Sequence, residues 1–109
     1  MSKKIEFEYG DQKYVLEYNR EAIKVMEKQG FDINQFVEKP MIMMDLAFQG
    51  AFLKNHRTMK AKKVEAIYEE MEDKQGLAQT LLEMIQETYN SLFETKETEE
   101  GKKVSWKIV

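Results

Sequence analysis

Apolar and polar residues alternate twice near the start of the chain, in IEFEY and again in YVLEY. Strict alternation is the mark of a half-buried strand. Ile5, Phe7 and Tyr9 share one face, and Tyr14, Leu16 and Tyr18 share another. An antiparallel hairpin keeps both sets on the same side if Tyr9 pairs with Tyr14 or with Gln12. Pairing Tyr9 with Lys13 sends the second set to the wrong face unless a bulge intervenes. Both workable registers place a tight turn within Gly10–Lys13. From Asn19 the period becomes helical. NREAIKVMEKQGF offers Asn19 as N-cap, a hydrophobic-staple spacing between Tyr18 and Ile23, and Gly30 as the left-handed residue after the helix, with Phe31 folding back on Met26. DINQFVEK reads as one or two more helical turns, with Asp32 capping and Gln35 at the box position. Pro40 stops that piece and opens the next helix at its first position.

The pattern over Pro40 to Asn55 is apolar nearly all round, as in helices at the centre of a fold. Gly50 inside it costs about 1 kcal/mol relative to alanine, and close approach of another backbone is the expected reason. A third helix is expected over Ala61 to Glu72, with Ala61, Val64, Ile67, Tyr68 and Met71 inward. A fourth is expected over Leu77 to Phe93, with Leu77, Leu81, Met84, Ile85, Leu92 and Phe93 inward. The last residues, KVSWKIV, alternate again. The expected fold is α+β: an N-terminal β-hairpin packed on about four helices, with residues 1–93 as a single domain, 94–103 as a polar linker and 104–109 as a C-terminal strand or tail. Two placements of that tail are open. It returns to the hairpin as a third strand, with Val104, Trp106 and Ile108 over the same core as Phe7 and Leu16, or it adds to a partner's sheet edge.

Composition narrows the function classes more than the fold. The net charge is only -3, so no global field points to nucleic acid or to acidic lipid. The absence of cysteine removes disulfides, thiolate zinc sites and cysteine nucleophiles together. The start, MSKKIEFEYG, has no apolar signal region, and Met41 to Leu53 is too short to span a bilayer. A soluble, cytoplasmic protein is expected. His56 is the only histidine, so no histidine pair exists for metal or proton relay; its position at a helix end suits a structural role. Glu69 with Asp73, and Glu83 with Glu87, lie one helical turn apart, but no nucleophile, phosphate loop or ligand loop accompanies them. The reading is therefore non-enzymatic: no catalytic residues, cofactor, metal or small-molecule substrate.

Charge is unevenly laid out. Positions 54–63 hold five lysines and arginines and no acid, whereas positions 65–73 hold five acids and no base. The third helix thus begins basic and ends acidic, against its own macrodipole. Either neighbouring groups compensate, or the two runs bind something. Methionine is abundant, three of the 8 falling in MIMM, which suits an irregular core or an adaptable binding surface.

The order of these elements resembles a family of small proteins from phages and prophages of Gram-positive bacteria that look like tail assembly chaperones of long-tailed phages. MEKQGF (Met26 to Phe31) and GAFLKNH (Gly50 to His56) carry the resemblance most specifically, with the lysine-rich start of the next helix and AIYEEMED after it. The resemblance implies a protein that binds the tape-measure protein during tail morphogenesis, with tail-tube subunits as a second candidate, and that is absent from the finished virion. It also implies that some members are made in a longer form by ribosomal frameshifting near the end of the short reading frame. No binding residues carry over. Taken with that role, the methionine- and phenylalanine-rich residues lead to an expected helix-in-groove packing through Met41, Met43, Met44, Phe48 and Phe52, flanked by Lys54, Arg57, Lys60 and Lys62, with Trp106 as a further partner contact. The alternatives are a structural tail or connector protein retained in the virion, and a host-directed protein-binding regulator acting through Glu65 to Asp73. Self-association through a free hairpin edge or the apolar helix is a further expectation.

Overall fold

A computed structural model describes residues 3–94 and 104–109. The hairpin is β1 (Ile5–Tyr9) against β2 (Gln12–Leu16), in the register that pairs Tyr9 with Gln12, Phe7 with Tyr14 and Ile5 with Leu16. Of the two registers that keep the apolar faces together, the chain takes the shorter turn. Gly10 makes this work: at φ 63 it occupies the first central position of the two-residue loop, where primed turns need positive φ. Tyr14 and Leu16 are fully buried, and Phe7 stacks on Tyr14 at 5.4 Å between ring centroids.

The first helix, α1 (Arg20–Lys28), starts and stops as its ends dictate. Asn19 accepts a hydrogen bond from the Ala22 N–H at 2.7 Å. At the other end Gly30 has φ 107. The Phe31 N–H donates to the Met26 carbonyl and the Gly30 N–H to that of Glu27, the paired bonds of a Schellman end. Asp32 caps a single 3-10 turn, Ile33–Gln35, the shorter of the one or two turns expected there. The second helix, α2 (Pro40–Gly50), is the hub: it packs on α1, on the 3-10 turn, on α3 (Ala61–Glu70) and on α4 (Lys74–Ser91). The Tyr18 hydroxyl, buried behind it, donates to the Ala47 carbonyl at 2.6 Å.

Three expectations need correction here. The neighbour that requires a glycine at position 50 is a side chain: a β-carbon there would overlap Sδ and Cγ of Met26. The regular helix ends at Gly50, and residues 51–55 continue as turns. Leu92 and Phe93 are exposed, because they fall past the last residue of α4. The macrodipole conflict of α3 is resolved by its successor. Lys74, in the first turn of α4, donates to the carbonyls of Glu69 and Met71 at 3.1 and 3.0 Å, placing a cation on the carbonyl end of α3. Asp73 caps α4 from a left-handed conformation by accepting from the Gly76 N–H.

The turn after α2 closes one edge of the hairpin. The Val15 N–H donates to Nε2 of His56 at 3.0 Å, Asn55 Nδ2 donates to the Val15 carbonyl at 3.2 Å, and the Glu17 N–H donates to the Ala51 carbonyl at 3.1 Å. Side chains of Asn55 and His56 thus occupy the main-chain groups of Val15 on this edge, and Lys54 holds the Glu17 side chain beside them. The tail residues 104–109 form no strand, and Trp106 is 82% exposed. Among the described residues the sheet has two strands. Of the expected linker 94–103, all but Glu94 lies outside the described residues.

Glu17 anchors this closure. Its buried carboxylate accepts from Asn55 at 3.0 Å and pairs with Lys54 at 3.0 Å. The Asn55 bond, then the Lys54 bond and charge, hold its pKa below the ordinary 4.5 against the opposing effect of burial. A depressed folded-state pKa means that the stabilisation is complete above the unfolded value. It is lost as pH falls from that value through the lower folded one. Urea unfolding midpoints should therefore drop over that acid window. Glu17→Gln should start lower at neutral pH and lose less of its midpoint on acidification; an acid limb identical to that of the parent chain would refute the assignment.

Candidate functional site

Because α2 is apolar nearly all round, its neighbours cannot cover all of it. The uncovered part lies at its N-terminal half. Pro40 starts the helix, and the next two side chains, Met41 and Ile42, are 86% and 59% exposed. Val37, just before, is 91% exposed. Beside them a groove of about 720 Å³ runs between α2 and α3. Met44, Phe48, Val64 and Tyr68 form its floor, and Phe36, Met41 and Ile42 its outer wall. The charged residues lining it are Asp45, Glu65 and Glu69, all acids. The Phe48 ring packs edge-on against Tyr68 within the floor, 5.3 Å between ring centroids, and the adaptable side chain of Met41 stands in the wall.

The structure sorts the residues expected at the groove into four groups. Met41, Met44 and Phe48 line it. Met43 and Phe52 do not: both are buried in the core, Met43 with its sulfur accepting from the Asp32 N–H, and Phe52 among the rings of Phe7, Tyr14, Phe48 and His56. The basic residues do not flank it either. Lys54 is committed to Glu17, Arg57 borders a separate cleft of about 180 Å³, Lys60 occupies the N-cap position of α3, and Lys62 is exposed on α3. Trp106 lies in the exposed tail. The acidic run at 65–73, read apart from the methionines, supplies the groove's rim instead.

Among the described residues no cluster of three or more metal-ligating side chains exists. His56 is engaged with β2, Asp73 with the α4 N-terminus and Glu83 with Lys3. The phenol of Tyr89 is pushed up to about 12 by burial first and then by its bond to Glu27, a link between α4 and α1. No described helix is long and apolar enough to cross a membrane.

A family model described as Domain of unknown function (DUF5055) matches residues 1–109, the whole chain. The chain belongs to the DUF5055 family. No curated protein and no solved structure matches it. For this DUF5055 member the groove between α2 and α3 is the candidate site. There exposed large apolar residues, a shaped floor and a single sign of charge coincide.

Proposed function

We propose that this protein is a non-catalytic tail assembly chaperone of phage or prophage tails, which holds an apolar helical stripe of the tape-measure protein in the α2–α3 groove. The observation that carries the reading is the groove itself, with its apolar floor, its methionine and isoleucine wall, and its acidic rim. A tape-measure protein is long and helical, and before assembly it exposes apolar stripes that need cover. Helix-in-groove docking supplies that cover through anchors spaced along one helix face. An apolar centre with a charged rim also permits release when the tail is built. The rim adds a selection: the stripe should be flanked by lysine or arginine, which meets Asp45, Glu65 and Glu69. The expected place of action is the host cytoplasm, before the particle is complete.

Exposed side chains can be changed without unfolding the core, which makes the test direct. The double variant Met41→Glu, Ile42→Glu should keep the parent unfolding midpoint and lose at least about tenfold in affinity for the tape-measure protein, since two apolar anchors are replaced by charge. Co-purification at the parental level by this folded variant would sink the reading. A chaperone is also absent from purified virions by mass spectrometry, whereas a retained tail or connector protein is present.

A further inference from the structure

The two edges of the hairpin are not equivalent. Val15 turns its N–H and C=O outward, to His56 and Asn55, so the Val15–Glu6 pair is a non-hydrogen-bonded one. In such a pair both residues point their main-chain groups away from each other. Glu6 must therefore present its N–H and C=O on the far side of β1, and Glu8, two residues on, does the same. Among the described residues nothing hydrogen-bonds to them there. The β2 edge is closed at Val15 by the side chains of His56 and Asn55, while the β1 edge is open at Glu6 and Glu8 among the described residues. The same chain carries an exposed segment of the matching pattern. Val104, Trp106 and Ile108 alternate with Ser105 and Lys107, and their side chains are more than four-fifths exposed.

We infer that residues 104–109 of one copy add as an antiparallel strand to the open β1 edge of a second copy, and that the exchange is reciprocal. Face and charge together favour one register. Setting Trp106 opposite Phe7 places Val104 opposite Tyr9 and Ile108 opposite Ile5, extending the half-buried face of β1. Lys107 then lies opposite Glu6, and Ser105 opposite Glu8. These are the two positions whose main-chain groups are free, so both become hydrogen-bonded pairs. Slipping by one residue would bring Glu6 and Glu8 against the apolar side chains. Slipping by two toward the start of β1 would set Lys107 against Lys4, a like-charge pair. Because each chain holds one open edge and one free strand, two copies satisfy each other around a two-fold axis. The chain's own tail stands free of its hairpin, which leaves the edge of a second copy as the site.

The inference is independent of the α2–α3 groove, and its test uses the full chain. Light scattering across a concentration series should show a monomer passing to a dimer. Trp106 emission should move from a water-like to a blue-shifted maximum along the same curve. Lys107→Pro removes a ladder donor at a position exposed in the single chain, so it should weaken dimerisation by about tenfold without changing the unfolding midpoint. Glu6→Lys should weaken it as well, and Glu6→Lys with Lys107→Glu should restore it. Mixing Glu8→Cys chains with Ser105→Cys chains under mild oxidation should yield a heterodimeric disulfide. A monomer at every concentration, a dimer indifferent to Lys107→Pro and to the charge exchange, or cross-linking confined within single Glu8→Cys/Ser105→Cys chains would overturn it.

Discussion

Phe52→Ala should lower the free energy of unfolding by about 3–5 kcal/mol, the range for removing a large buried aromatic. The effect should sit at the upper end, because Phe52 joins two layers. It lies just past the regular part of α2, almost wholly buried, with ring centroids 5.2 Å from Phe48, 6.0 Å from Tyr14, 6.2 Å from His56 and 6.4 Å from Phe7. Its removal opens a cavity between the hairpin and the helices and loosens the seat of His56, which holds the β2 edge. For a small domain stable by about 5–15 kcal/mol, this is about a fifth of the total or more. Urea unfolding with matched parent controls measures it, and a loss under about 1 kcal/mol would contradict the packing described. Binding through the groove, corrected for the fraction folded, should be unchanged, since Phe52 does not line it.

The second large effect is one of sign. On helix propensity alone, Gly50→Ala should stabilise by about 1 kcal/mol. It should instead destabilise, by about 1–3 kcal/mol, because the new methyl group overlaps Sδ and Cγ of Met26. Methionine is flexible, but Met26 is fully buried, and the atoms in the way include one near the middle of its side chain. Met26→Ala removes the obstacle and by itself costs about 2–5 kcal/mol for the cavity. In that background Gly50→Ala should become stabilising, since it recovers the helix propensity and fills part of the void. The double-mutant cycle isolates the pair. A Gly50→Ala effect of the same sign in both backgrounds would show that Met26 is not the reason for the glycine.

Features written locally are legible in the sequence. Asn19, Gly30 and Asp32 cap through bonds to residues within five positions, so their chemistry is visible in the sequence beside them. The hairpin faces were legible too, but not its register: two pairings keep the same faces together, and the choice rests on the backbone angle of Gly10. What could not be read depends on distant partners. The segment that occupies the β2 edge is the turn at 54–56, whose polar side chains resemble any solvated loop. The tail looked like a third strand because alternation describes a strand's faces and not its neighbours. The groove was half legible. Excess apolar surface on α2 was evident, yet which side stays uncovered is set by where α3 packs, and that packing turned Glu65 and Glu69 toward Met41 and put Phe52 out of reach. Leu92 and Phe93 continued an apolar pattern past the end of the helix that would have buried them.

The closure of β2 also bears on how the chain acquires its fold. Two strands alone are marginal in water, and the hydrogen bond from Val15 to His56 spans 41 positions of sequence. On a ribosome the hairpin emerges well before the residues that hold its edge. It can form and reopen at that stage, but it becomes permanent only when α2 and the turn after it have been made. Hairpin and helices therefore lock together in one cooperative step, and a chain interrupted before residue 56 would lack not only its later helices but also the stability of the strands already synthesised.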